Sequence, residues 1–238
     1  MGTLGRVSVI VPSKIFDLSQ PVFANCPQYE DRYPRPVVVS TLSTVALQGV
    51  NKEEVHLTTH TGTHCDAPYH FFDAAPPIDQ VALETFVAPA VIVDLRSKKP
   101  GSYVSSLDLR PIETHVQPGD VVLLNTGWGH KRALTKEFLS EWPYLSGEAA
   151  EFLLSLNVKG VGIDAVSLGG YDDPRKAGPA HMTLLGAGRF IVEELCFPDE
   201  VMDGRRRLFC AAPVKLRGCS GAWTRAMLWE FGREADAS

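Results

Sequence analysis

No stretch of this chain constrains its fold as tightly as His60-Thr-Gly-Thr-His64-Cys-Asp66-Ala-Pro-Tyr-His70, which sets three imidazoles and a carboxylate within eleven residues. Four of the seven histidines fall between positions 56 and 70, a concentration that random scatter rarely produces. Imidazole nitrogens and carboxylate oxygens are the ligands that Zn²⁺ and Mn²⁺ accept where thiolates are absent. A helix would bring His60 and His64 together at i, i+4, but two β-branched threonines beside a glycine disfavour it. In an extended chain His64 and Asp66 share a face, whereas His60 and His64 stand roughly 13 Å apart at about 3.3 Å per residue. That is too far to share one ion, so the chain has to bend between them. Gly62 supplies the freedom for that bend, and Pro68 can set a second one that returns His70 to the same pocket.

The rest of the chain reads as the scaffold for such a pocket. Its 238 residues, 45% hydrophobic and 21% charged, suit a single globular domain spanning residues 1–238. Short runs rich in Val, Ile or Thr and bounded by Gly, Pro, Asn or Asp predict buried strands over Val37 to Ser40, Val55 to Thr59, Val87 to Leu95, Val121 to Thr126, Val158 to Ile163 and Phe190 to Val192. Helical signals are fewer. Ser146 to Leu156 has a cap residue, an acidic first turn and an apolar stripe; Thr135 to Glu141 and a short piece over His181 to Gly186 are the other candidates. Strands outnumber helices without a steady alternation, which predicts an α/β or α+β fold with a mixed sheet.

Charge and cysteine usage narrow the function classes. A formal charge of −5 argues against nucleic acid as a partner, and the lone basic run Arg205 to Arg207 reads as a solvated loop. Five scattered cysteines without CxxC spacing predict neither a disulfide framework nor a thiolate zinc site, and fit a cytoplasmic protein. The apolar stretch from Val7 to Val11 is too short for a signal-peptide core or a membrane span; with Phe16 it predicts an edge strand or a surface for a partner copy. His56, His115 and His130 read as ordinary polar residues, His56 with the option of lining the site from the strand before it.

The residues resemble a known family, the cyclase-like metal hydrolases of the bacterial kynurenine formamidase and isatin hydrolase type, marked by HxGTHxDxPxH. His60, Gly62, Thr63, His64, Asp66, Pro68 and His70 fill every position of that motif. The likeness extends to Asp17-Leu18-Ser19 with Pro21, to Asn125-Thr126-Gly127-Trp128, to Gly162-Ile163-Asp164 with Ser167, and to His181 through Leu195. The resemblance implies a swivelling β/β/α fold and a homodimer or homotetramer. It also implies one metal on His60, His64 and Asp66 and a second on Asp66, His181 and Glu193, with Glu194 as the adjacent alternative, and His70 as proton donor and acceptor. Some relatives work with one ion, so the expectation is Zn²⁺ or Mn²⁺, one or two per chain. A bound divalent ion lowers the pKa of its water from 15.7 towards about 7 and polarises a carbonyl, while an imidazole titrating near neutrality can protonate a leaving nitrogen.

The expected function is therefore hydrolysis of a non-peptide C–N bond in a small cyclic or aromatic amide. Kynurenine formamidases of the family carry a tryptophan soon after the first Asp-Leu-Ser/Thr, and here that region reads Pro21-Val-Phe23-Ala-Asn25-Cys26-Pro27. An aromatic platform for substrate can come from Phe23, Phe71 or Phe72, with Tyr29 and Tyr33 as further candidates. Near the C-terminus Gly221-Ala222-Trp223-Thr224-Arg225 resembles a family element with Trp223 in place of proline, and carries no assigned role. Three rivals stand beside this reading. His64, Asp66 and His181 have the order of a mononuclear iron oxygenase triad, which leaves His60, His70 and Glu193 without a purpose. A non-catalytic metal-binding protein would normally close four ligands around its ion. Gly218-Cys-Ser220-Gly-Ala222 lacks the last glycine of a serine-hydrolase nucleophile elbow.

Overall fold

A strand that is apolar on both faces needs cover on both, and Val121–Asn125 is such a strand, buried along its whole length. A computed structural model describes residues 10–29 and 35–232 of the chain. Its strands are, in chain order, β1 (Lys14–Asp17), β2 (Val38–Ser43), β3 (Lys52–His56), β4 (His64–Asp66), β5 (Val87–Asp94), β6 (Tyr103–Val104), β7 (Val121–Asn125), β8 (Tyr144–Leu145), β9 (Gly160–Ile163), β10 (Phe190–Glu193), β11 (Arg207–Cys210), β12 (Gly221–Trp223) and β13 (Met227–Glu230). The α-helices are α1 (Val45–Gln48), α2 (Ser106–Leu109), α3 (Lys136–Ser140), α4 (Gly147–Ser155) and α5 (Pro174–Gly186).

Nine strands form one mixed sheet in the order β1-β13-β11-β5-β7-β9-β10-β4-β12. Its centre, β5-β7-β9-β10, is parallel, and both flanks are antiparallel. Alternation along β7 divides the core. Val122 and Leu124 face one cluster, where Ala149 and Leu153 of α4 and Ala180 and Leu184 of α5 cover the sheet. Val121 and Leu123 face a second cluster. There the sheet curls far enough for Phe16 and Leu228 from one flank to share a core with Cys65 and Ala222 from the other. This is the mixed α/β architecture expected from the sequence.

The strand and helix expectations held in the centre and failed at the periphery. Ser146 caps α4 with its hydroxyl accepting from the Ala149 amide, and Thr135 caps α3 likewise through Phe138. The third helix is longer than expected: α5 begins at Pro174, because Asp173 accepts from the Arg175 amide and Pro174 occupies the first turn, where a missing N–H costs nothing. The strands read over Val37 to Ser40 and Val55 to Thr59 form as β2 and β3, but of those two runs only Val37 is buried. They form a separate β2–β3 hairpin that leaves Val38, Val39, Leu42 and Val55 exposed. The basic run is an exposed loop at Arg205 and Arg206 but not at its third residue. Arg207 is buried on β11 and pairs with Asp203 and Glu230, and Arg206 pairs with Asp120. Of the N-terminal apolar stretch, residues 7–9 lie outside the described residues; β1 follows it as an edge strand on β13.

Candidate metal and catalytic centre

Gly62 makes the bend the site depends on. It adopts φ +65°, and an added Cβ would stand 2.8 Å from Val22 Cγ2, so both conformation and space call for glycine. The bend brings the His60 and His64 rings to 5.0 Å, nearly perpendicular. Beyond it β4 runs antiparallel between β10 and β12, and the register sets His64 opposite Glu193. One 3-10 turn from Pro68 then carries His70 back, its ring stacked 4.2 Å from that of His60.

The five expected ligands meet around the Asp66 carboxylate. His60 Nδ1 lies 2.9 Å and His64 Nε2 3.3 Å from Asp66 Oδ1. His181, supplied by α5, sets Nε2 3.0 Å from Glu193 Oε1 and 3.8 Å from Asp66 Oδ2. The donor atoms form two groups, His60, His64 and Asp66, and Asp66, His181 and Glu193, each within 4.8 Å. The two glutamates take different places. Glu193 reaches into the cluster, fixed by the Ser167 hydroxyl and the Leu168 amide. Glu194 has a left-handed backbone, φ 52°, and meets Arg132 at 3.0 Å, outside both donor groups. Arg132 also donates to the carbonyls of Pro21 and Pro27, a role the sequence reading missed.

The donor set fits a divalent cation on an observation independent of the motif: His64 Nε2 and Asp66 Oδ2 are buried and have no hydrogen-bond partner. Orphaned buried polar atoms are costly, and here both belong to the same cluster. The electrostatics agree. Burial disfavours a charged His64, but the Asp66 and Glu193 carboxylates outweigh it and push the imidazole up to about 9. Burial also opposes ionisation of Asp66, yet the imidazoles around it hold its carboxyl well below the usual range. His70 goes the other way. Although the ring is open to the cavity, the water it loses to the surrounding protein, helped by His60 and His181 and partly offset by Asp66, pushes it down to about 4, so it is a neutral base at neutral pH.

The cluster opens into a cavity of about 540 Å³ whose walls include Tyr29, Arg35, His70, Phe71 and Ser167. Of the three phenylalanines expected at the substrate site, Phe71 lines this cavity and stacks on His181 with ring centroids 4.9 Å apart. Phe72 instead turns into the core against α5, 3.1 Å from where a Gly186 Cβ would stand. Phe23 is exposed, with the Arg132 guanidinium 5.9 Å from its ring centroid. Tyr29 lines the cavity from the edge of the described residues, and Tyr33 lies outside them. His56 pairs with Glu54 on the exposed hairpin, and His130 bonds the Phe197 carbonyl.

A family model described as "Putative cyclase" matches residues 16–169. The chain belongs to the cyclase family. Among cyclase-family relatives, kynurenine formamidase of Bacillus cereus is 30% identical over 217 residues, covering 91% of this chain and 97% of that one. Among solved structures, isatin hydrolase A from Ralstonia solanacearum is 25% identical with a TM-score of 0.81, covering 91% of this chain and 92% of that one. Isatin hydrolase A from Labrenzia aggregata bound to benzyl benzoate superposes with a TM-score of 0.82 at 22% identity, covering 92% of this chain and 94% of that chain. The last of these speaks for the fold alone.

Proposed function

We propose that this cyclase-family protein is a metal-dependent hydrolase acting on a non-peptide C–N bond in a small aromatic or cyclic amide, either an arylformamide or an isatin-like lactam. The observation that carries the reading is the pair of orphaned ligand atoms, His64 Nε2 and Asp66 Oδ2, in a buried cluster of three histidines and two carboxylates that opens to a substrate-sized cavity. The likeness to kynurenine formamidase and to isatin hydrolase supports the same reaction class. His60, His64 and Asp66 would hold one ion, and Asp66, His181 and Glu193 a second, with Zn²⁺ or Mn²⁺ suited to this nitrogen and oxygen set. A divalent ion there supplies an acidified water and polarises the substrate carbonyl.

The chain's own residues do the rest. His70, neutral and stacked on His60 at the cavity wall, takes a proton on a ring nitrogen from the attacking water and delivers it to the leaving nitrogen. Ser167 and the Leu168 amide hold Glu193 in its orientation. Phe71, packed flat on His181, and Tyr29 offer an aromatic slot, which favours a planar substrate, and Arg35 places a cation at the wall. Assembly as a homodimer or homotetramer would cover the exposed apolar side chains of the β2–β3 hairpin, and the five free cysteines suit a cytoplasmic setting. Among the described residues no helix is long and apolar enough to cross a membrane; the partner proposed is a small-molecule substrate, not nucleic acid.

Elemental analysis of the purified protein, with isatin and N-formylkynurenine hydrolysis assayed before and after chelation and metal return, tests this reading. One or two equivalents of zinc or manganese with metal-restored turnover is the expected result, and Asp66→Ala should lose both metal and activity. A metal-free active protein, or iron with oxygen-dependent turnover, would overturn it.

A further inference from the structure

An imidazole that ligates an ion through one nitrogen needs its other N–H held by an outer partner, which sets the tautomer and aims the ring. His64 and His181 solve this in the same way. Each places Nδ1 2.8 Å from a backbone carbonyl, of Gly62 and of Ala177; a carbonyl only accepts, so Nδ1 carries the proton and Nε2 faces the cluster. His60 is turned the other way round. Its Nδ1 faces Asp66, and its Nε2 lies 2.8 Å from Ser220 Oγ, on a segment 160 residues further along the chain.

A hydroxyl differs from a carbonyl in that it can both donate and accept by rotating. With no ion present, Nδ1–H can donate to Asp66 while Nε2 accepts from the Ser220 hydroxyl. With an ion on Nδ1, the proton must sit on Nε2, and the same hydroxyl turns to accept it. The next residue adds a steric wall. A Cβ on Gly221 would lie 2.7 Å from His60 Cε1 and 2.7 Å from the Cys65 carbonyl oxygen, so the ring packs against bare backbone at the start of β12. The backbone itself is tied down, with the Ser220 carbonyl accepting from the Ala67 amide at 2.9 Å.

We propose that Ser220 and Gly221 form a cradle that aims His60 Nδ1 at the cation site, Ser220 serving as a positioning residue whose hydroxyl switches between donor and acceptor as the ion leaves or binds. This rests on the metal reading given above. The segment that resembles a defective nucleophile elbow thus acts through His60, not on substrate.

The test is Zn²⁺ affinity, measured by competition with a chromogenic chelator on stripped protein; zinc is the appropriate probe because such sites bind it more tightly than manganese. Ser220→Ala should weaken Zn²⁺ binding about 10- to 100-fold with only the small fall in the melting temperature of the metal-free protein that one lost hydrogen bond brings, and Ser220→Thr, which keeps the hydroxyl, should recover most of both losses. In a His60→Ala background the Ser220→Ala change should add nothing further. Wild-type affinity in Ser220→Ala, or an undiminished effect without His60, would overturn the cradle alone. Wild-type protein that takes up no Zn²⁺ would overturn the metal reading and the cradle with it.

Discussion

His70 shows how far a single side chain's chemistry depends on what surrounds it. An imidazole in water titrates near 6.5, close to ideal for shuttling a proton, and the motif alone implies that role. Beside the cluster, lost hydration and two neighbouring imidazoles push it down to about 4, so in the proposed reaction it would enter as a base and become an acid only after taking up the water's proton. His70→Ala should therefore lower kcat by about 10²- to 10⁴-fold while the metal content, read by elemental analysis, stays at the wild-type level. Loss of the metal in that variant would move His70 into the ligand set. The glutamate pair shows the same dependence: adjacent residues of one charge become a cluster member and an arginine partner because β10 turns one side chain towards β4 and Glu194 leaves the strand in a left-handed conformation. Glu193→Ala should accordingly cost more metal than Glu194→Ala in the same measurement.

Among elements, α5 matters most, since it alone brings His181 to the cluster. Its first half, Pro174-Arg-Lys-Ala-Gly178-Pro179, holds a glycine and an internal proline that disfavour a helix, and the helix forms regardless. Asp173 and Pro174 start it, and Ala180, Leu184 and Leu185 bury its stripe against α4 and the sheet; tertiary packing of an amphipathic face outweighs local propensity. The contact with α4 is close. A Cβ on Gly147 would lie 2.9 Å from Pro179 Cβ, a rigid ring atom. Alanine is the better helix former by about 1 kcal/mol, yet Gly147→Ala should destabilise the protein by about 1–3 kcal/mol through overpacking, measurable as a lower midpoint in urea. A gain in stability would show that the two helices can separate without cost.

Across the whole molecule, the sheet and α5 gather His60, His64, Asp66, His181 and Glu193 into one centre with Ser220 beside it, and the charge of that centre couples it to pH. Without metal, His64 is raised to about 9 by two carboxylates against the cost of burial, so its proton stands in for the missing cation. A group whose pKa is raised on folding contributes stability that is full below its unfolded value, about 6.5, and is lost as pH climbs through about 9. The cation requires the neutral ring, so metal binding must expel that proton. Affinity for Zn²⁺ should rise with pH between those limits, and calorimetry in buffers of different ionisation enthalpy should record proton release on binding. Affinity independent of pH would mean that His64 is already neutral in the metal-free protein.

Much of this was legible in the sequence because it is local. The run from His60 to His70 needed a bend at Gly62 for its ligands to meet, since a straight strand would hold them too far apart, and the bend is there. The second ligand pair, His181 and Glu193, came only with the family resemblance, which left Glu194 open beside it, while the Val- and Leu-rich run at β7 marked the middle of the sheet. Other features depend on which strand lies beside which. Period-two alternation says which residues share a face, but not whether that face is covered, so the β2–β3 hairpin reads as core and lies exposed. Neither the choice of Phe71 over Phe72 nor the approach of Ser220 to His60 has a local signal, because each follows from packing between segments far apart in the chain. Ligand types and spacings are written in the sequence, whereas strand register and face are fixed only when the core closes, since a slip of one residue would turn every side chain over.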